Sequence, residues 1–241
     1  MAFFGKKSAA AEPFVPQPEK ANAWFERARQ MAESHNYESS FAFFANGFKL
    51  DPRDVAVHKE VLQIASTYYS RGGEKATNKD IKQIDGPTDI EKFATALYVW
   101  WHDVTNAKKA VKAITVAVDA DQLAFGVAMA DTILVLVQRG EKALTHKELK
   151  NLMELFKSTG AWNQVFKVGQ AALAANREDS ALERELNELA AERALTEGGY
   201  NEIGTEEGGF RKFVRDLDKQ REIEEEGALA GAGGSEERVL A

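Results

Sequence analysis

Residues 21–54, ANAWFERARQMAESHNYESSFAFFANGFKLDPRD, decide the fold. Apolar and small side chains recur there at spacings of three and four: Trp24, Ala28 and Met31, then, past a polar break at His35-Asn36, Tyr37, Phe44, Gly47 and Leu50. That period belongs to helices, and no alternating run rich in Val, Ile and Thr competes with it. The stretch therefore predicts two helices of about four turns each, joined at His35-Asn36. Ala28 and Gly47 are small enough to let the two backbones approach, while Trp24 and Phe44 fill the space beside them. Pro52 ends the second helix, because its ring cannot continue one.

Outward from this unit, the same 34-residue frame fits 146–179, with Leu149, Leu152, Met153, Phe156, Gly160, Trp162, Gly169, Ala172 and Ala175 in corresponding places. A weaker copy at 107–140 keeps Ala110, Ala113, Ile114, Ala117, Leu123, Gly126, Ala130, Ile133 and Leu136 but lacks the aromatic and the proline. Between them, 55–106 holds a first helix, Val55–Ser70, and a second, Thr88–His102, separated by an insertion at 71–87, RGGEKATNKDIKQIDGP. Ser180–Glu197 is a polar helix with an apolar seam of Leu182, Leu186, Leu189 and Ala190, suited to cap the end of an array. The expectation is an all-α chain with nine helices between 21 and 198.

The unit at 21–54 resembles a tetratricopeptide repeat (TPR), with Trp24, Ala28, Met31, Tyr37, Phe44, Gly47, Leu50 and Pro52 on its pattern. The resemblance implies a right-handed superhelical array of antiparallel helix pairs with a capping helix. It also implies that a peptide or protein partner binds on the concave surface, at the second, fifth, ninth, twelfth and thirteenth places of each repeat. The partner-binding residues so implied are Phe25, Arg29, Lys59, Gln63, Lys108, Lys147, Lys150 and Glu154, with Val111, Thr115 and Ser158 among their neighbours. The cations in this set would make a basic groove inside an acidic protein and favour an acidic peptide. TPR domains that clamp a terminal carboxylate carry a Lys and an Asn four places apart on the first helix. Here Lys59 is followed by Gln63 and Lys150 by Glu154, which does not reproduce that clamp.

Composition narrows the rest. The 241 residues carry 31 basic and 38 acidic side chains, a net of −7, which is the wrong sign for affinity built on counterion release from nucleic acid. Zero Cys excludes disulfides and thiolate chemistry and suits a reducing, cytoplasmic setting. The start, MAFFGKKSAAAEPFVPQPEKA, does not read as a signal peptide, and the longest apolar run, Ile133–Val137, falls well short of the roughly 20 residues that span a bilayer. Residues 1–20 are expected to be disordered through Pro13, Pro16 and Pro18. At the other end, 199–241 carries 11 acidic and 6 basic residues and reads as a flexible acidic tail. Within it, Phe210, Phe213, Val214 and Leu217 predict a short amphipathic helix near 210–226.

Four histidines are scattered without sharing a helical face, and the adjacent His102-Asp103 reads as surface. Trp100 and Trp101 point about 100° apart on a helix, so both cannot face one core; an exposed one would be a binding hot spot, but burial is the favoured expectation because large aromatics are mostly buried. No metal-ligand cluster, cofactor motif or catalytic constellation is evident. The functional expectation is a non-catalytic adaptor without cofactor. The alternatives are a structural subunit attached through the tail helix and, more weakly, a nucleic-acid binder acting through the basic face.

Overall fold

Pro18 opens the first helix rather than prolonging an extended start. It occupies the first helical position, where its missing N–H would have had no partner and its fixed φ already suits the helix. The computed structural model describes residues 14–140 and 143–197. Expected disorder over 1–20 is therefore corrected from Pro18 onward, and the Gln17 N–H donates to the Leu50 carbonyl at 2.9 Å. Residues 1–13, the acidic tail at 199–241 and its helix near 210–226 lie outside the described residues.

The secondary structure of the described residues is helical, without strands: α1 (Pro18–Glu33), α2 (Tyr37–Leu50), α3 (Val55–Ser70), α4 (Asn78–Ile84), α5 (Asp89–Trp101), α6 (Ala107–Asp119), α7 (Leu123–Arg139), α8 (His146–Thr159), α9 (Trp162–Ala175) and α10 (Ser180–Glu197). Nine of the ten were expected. The tenth, α4, forms inside the insertion, where Thr77 caps it through Asp80 N–H and Ile84 is buried. Caps mark five other starts: Asn36, Asp54 and Asn106 each accept from the first turn, and Thr88 and Thr145 form reciprocal capping boxes with Glu91 and Glu148. Gly160 closes α8 at φ 83°, in the left-handed region that glycine adopts without strain. No helix among the described residues is long and apolar enough to cross a membrane.

Two units can be distinguished, one ending at Asp179 and one beginning at Ser180. The described part of the second is the helix α10. In the first, α1 and α2 form the tightest pair and run antiparallel: Gln17 meets Leu50, Phe25 meets Phe44 and Phe48, and the Ser40 hydroxyl donates to the Ala28 carbonyl at 2.8 Å. Ala28, Phe44 and Gly47 are buried as expected. The aromatic filling the seam, however, is Phe25 rather than Trp24, which stays half-buried and tilts against Phe43. Gly47 explains the choice, since a Cβ there would run into the Phe25 ring.

Helix α5 is central. It packs on α2 on one side and α6 on the other, with α3 and α4 also against it. The tryptophan pair is buried as the favoured expectation has it, and side chains about 100° apart both find protein because the helix is flanked twice. Trp101 is 1% exposed between Phe41 and Phe48 of α2, and Trp100 is fully buried with its indole N–H donating to the Val104 carbonyl at 3.1 Å.

His102-Asp103 is likewise buried and not surface. His102 sits among Phe41, Tyr68 and Tyr98, its Nδ1 3.1 Å from the Glu74 carbonyl, and burial pushes its pKa below the ordinary value. Burial pushes the Asp103 carboxyl upward, but Lys109 at 3.0 Å, Asn106 and Lys75 outweigh it and hold the group below its usual range. The insertion is thereby tied to the core, with the Tyr68 hydroxyl also accepting from Glu74 N–H at 2.8 Å.

His58 joins α3 to three other helices. Its ring stacks on Phe48 of α2 with centroids 4.0 Å apart and contacts Phe93 of α5 and Phe125 of α7. Nε2–H donates to the Pro52 carbonyl at 2.7 Å, and Nδ1 has no partner. Burial pushes its pKa down to about 4, so the ring is neutral in the folded chain.

Candidate functional site

Helices α6 and α8 lie side by side and leave between them a groove of about 520 Å³. Val111, Leu144 and Leu155 make its apolar floor, and Lys108, Lys112, Glu148, Glu154, Asn151, Thr115 and Ser158 its polar walls. The local sequence dictates this division. On α8, Leu149, Leu152, Met153 and Phe156 face inward at helical spacing and are buried, which turns Asn151, Glu154 and Leu155 toward α6. On α6, Ala110, Ala113, Ile114 and Ala117 take the core, leaving Lys108, Val111, Lys112 and Thr115 for the groove.

Two residues of the expected binding set, Lys108 and Glu154, meet in this groove, together with Val111, Thr115 and Ser158. The residues not anticipated are Lys112, Glu148, Asn151, Leu155 and Leu144. Four of them sit one place after an expected one, so each helix presents to the groove a face wider than the repeat pattern marks. The signal was present in the core: once Ile114 and Phe156 are assigned inward, their 3.6-residue period places Lys112 and Asn151 beside the groove.

Phe25 is not a surface anchor. It is 2% exposed and belongs to the α1/α2 seam, because Gly47 makes room for its ring. Lys59 and Gln63 are exposed on α3, whose packed neighbours are α2, α5 and α7, so they are not brought to the α6/α8 groove.

The expected row of cations is largely neutralised from within. Arg29 makes a two-pronged pair with Glu60 of α3 at 2.7 and 2.8 Å, and that hydrogen bond raises its pKa. Lys108 reaches Glu148 across the groove mouth at 3.1 Å. Lys150 holds Asp179 at 2.8 Å, on the same oxygen that His146 Nε2 approaches at 3.0 Å. Glu154 pairs with Lys157 at 3.3 Å. Glu148 is held down at about 2, first by the Thr145 backbone N–H of the capping box and then by Lys108.

Lys147 remains exposed on α8. The groove keeps two polar groups with no partner among the described residues, the Asn151 carboxamide and the Lys112 ammonium. A carboxamide offers both a donor and an acceptor, which is what a peptide bond needs.

Among the described residues no group of three or more His, Asp or Glu side chains could hold a metal ion. No protein-family model matches the chain, and comparison with curated proteins gives no match.

Proposed function

We propose that the chain is a non-catalytic adaptor of TPR-like helical hairpins that holds an extended peptide segment of a protein partner in the α6/α8 groove. The observation that carries this reading is the pairing of an apolar floor, Val111, Leu144 and Leu155, with the uncommitted Asn151 carboxamide and Lys112 ammonium. An extended peptide brings unsatisfied backbone groups as well as side chains, so a groove that takes it needs both kinds of surface. The 34-residue frame at 21–54 and 146–179 supports a TPR-like, right-handed superhelical stack, with α6 and α8 as first helices of successive hairpins. The partner's affinity rests on a few anchors rather than on net charge, because Lys108 and Lys150 are already paired.

Affinity capture from native lysate, with the intact chain carrying Leu155→Glu or Asn151→Ala, tests the reading. The expected result is a protein retained by the parent chain and by a Lys59→Ala control, and lost with both groove variants. A partner retained equally by all of them would place recognition elsewhere.

A structural-subunit reading draws on a separate observation: Val127 and Val135 on α7 and Trp162 on α9 are large apolar side chains 39–50% exposed. Light scattering of the intact chain distinguishes it, since a chain that stays monomeric at high concentration has no use for that surface in self-assembly.

A further inference from the structure

Where α6 turns back into α7, two carboxylates have no ionic partner among the described residues: Asp119, which ends α6, and Asp121, which follows in the turn. The last turn of α6 holds no basic side chain either, so the negative end of its helix dipole adds to theirs. Both carboxylates line a pocket of about 1010 Å³ whose apolar surface comes from Phe14, Pro16, Pro52, Ile90, Leu123 and Phe125. Phe14 and Leu123 are 41% and 37% exposed, so this surface is not fully covered by the helices around it. The other charges of the pocket cancel, because Lys92 pairs with Asp89 at 3.1 Å and Arg53 with Asp51 at 2.8 Å. Asp119 and Asp121 are what remains.

We infer that this pocket is the seat of the chain's own residues 1–13, MAFFGKKSAAAEP, with Phe3 and Phe4 on the apolar surface and Lys6 and Lys7 at Asp119 and Asp121. Position selects this occupant. Phe14 lines the pocket, so the segment is joined to the pocket wall itself. The seven residues from Lys7 to Pro13 reach about 24 Å when extended, enough to cross a pocket of this volume. A tether so short also keeps the segment at an effective concentration of about a millimolar, at which even a weak site fills. Chemistry selects the same occupant, since adjacent aromatics meet apolar surface and adjacent ammonium groups meet the two unpaired carboxylates. In that seat the segment is a latch, which a basic and aromatic stretch of a partner has to displace. The inference does not depend on what occupies the α6/α8 groove.

The test uses the intact chain with the photoreactive analogue p-benzoylphenylalanine in place of Phe4, irradiated at low micromolar concentration and mapped by mass spectrometry. The expected products are monomers cross-linked within Pro87–Lys92 or Asp119–Phe125. Asp119→Asn combined with Asp121→Asn should lower the yield at least about threefold while the thermal unfolding midpoint stays in place, because Asn tolerates the positive φ of 56° at Asp121. Lys6→Glu combined with Lys7→Glu tests the same contact from its other side and should lower the yield as far. All four changes together should lower it no further, since each pair removes one shared interaction. Cross-links scattered over other helices, or a yield indifferent to the lysine changes, would overturn the inference. So would cross-linked dimers, which would seat the segment on a second copy instead.

Discussion

The region from α6 to α9 and the region from α3 to α5 are built from the same kind of helix, yet they stack differently. In the first, connections of two or three residues follow α6 and α8, and α8 is held against both α6 and α7. In the second, residues 71–88 separate α3 from α5, and α3 packs on α2 and α7 as well as α5. A short connection forces successive helices to be antiparallel neighbours, while a long one leaves the choice to side-chain packing. Here that choice is made by His58, whose ring is enclosed by Phe48, Phe93 and Phe125 from three different helices. The regular region encloses the groove with uncommitted polar groups, and the irregular one is gathered around a buried aromatic cluster.

The sharpest way to break this contrast is to empty the aromatic core of the irregular region. Trp101→Ala removes the ring between Phe41 and Phe48, and the cost expected from comparable core truncations is about 3–5 kcal/mol. Hydrogen exchange should accelerate in α2, α3 and α5 first. Equal acceleration in α8 and α9 would mean that the two regions unfold as one and that the contrast is only geometric.

Acid offers a second test of nearly equal size. His58 titrates at about 4 folded against about 6.5 unfolded, so between those values the unfolded chain binds the extra proton. The stability it contributes is fully present above about pH 6.5 and declines as pH falls toward 4, by about 3 kcal/mol in all. Urea unfolding between pH 7.5 and 4 should show this loss, and His58→Phe should flatten the curve over that window. An unchanged slope would mean that the acid sensitivity belongs to other groups, such as His102, whose pKa burial also lowers.

The smallest effect probes the regular region. Gly126 faces the Thr159 side chain so closely that a Cβ would collide with it. Gly126→Ala gains about 1 kcal/mol of helix propensity but meets an overpacking cost of about 1–3 kcal/mol, so a net loss of about 1 kcal/mol is expected. Adding Thr159→Ala should convert the loss into a gain, as coupling between touching side chains requires. Denaturation midpoints of the two variants and the double variant decide it. Additive values would show that the α7/α8 approach is looser than the structure has it.

Much of the helical layout was legible in the residues. The boundaries of α3, α5, α6, α8 and α9 follow from apolar spacing and from capping residues such as Asp54, Thr88 and Thr145, which are local chemistry. The α4 helix was less legible, because a seven-residue element is held by the burial of Ile84 rather than by its own pattern. The candidate site was half legible. Lys108 and Glu154 were named, but Phe25 was placed on the wrong side, because its burial depends on the space above Gly47 in a different helix. Asn151 and Lys112 were passed over, since no repeat pattern marks them and their importance comes from what the neighbouring helix leaves uncovered.

By itself the sequence determined that this protein is helical, where most of its helices begin and end, and which face of α6 and α8 turns inward. Those properties depend on contacts within a few residues along the chain, and a period of 3.6 carries them. Only the tertiary structure decided that Arg29, Lys108 and Lys150 are spent on Glu60, Glu148 and Asp179, that Trp100 and Trp101 are both buried, and that α3 packs on α2, α5 and α7. Each of these is a choice between partners distant in sequence. Such choices depend on how whole helices fill space against one another, which no local pattern encodes.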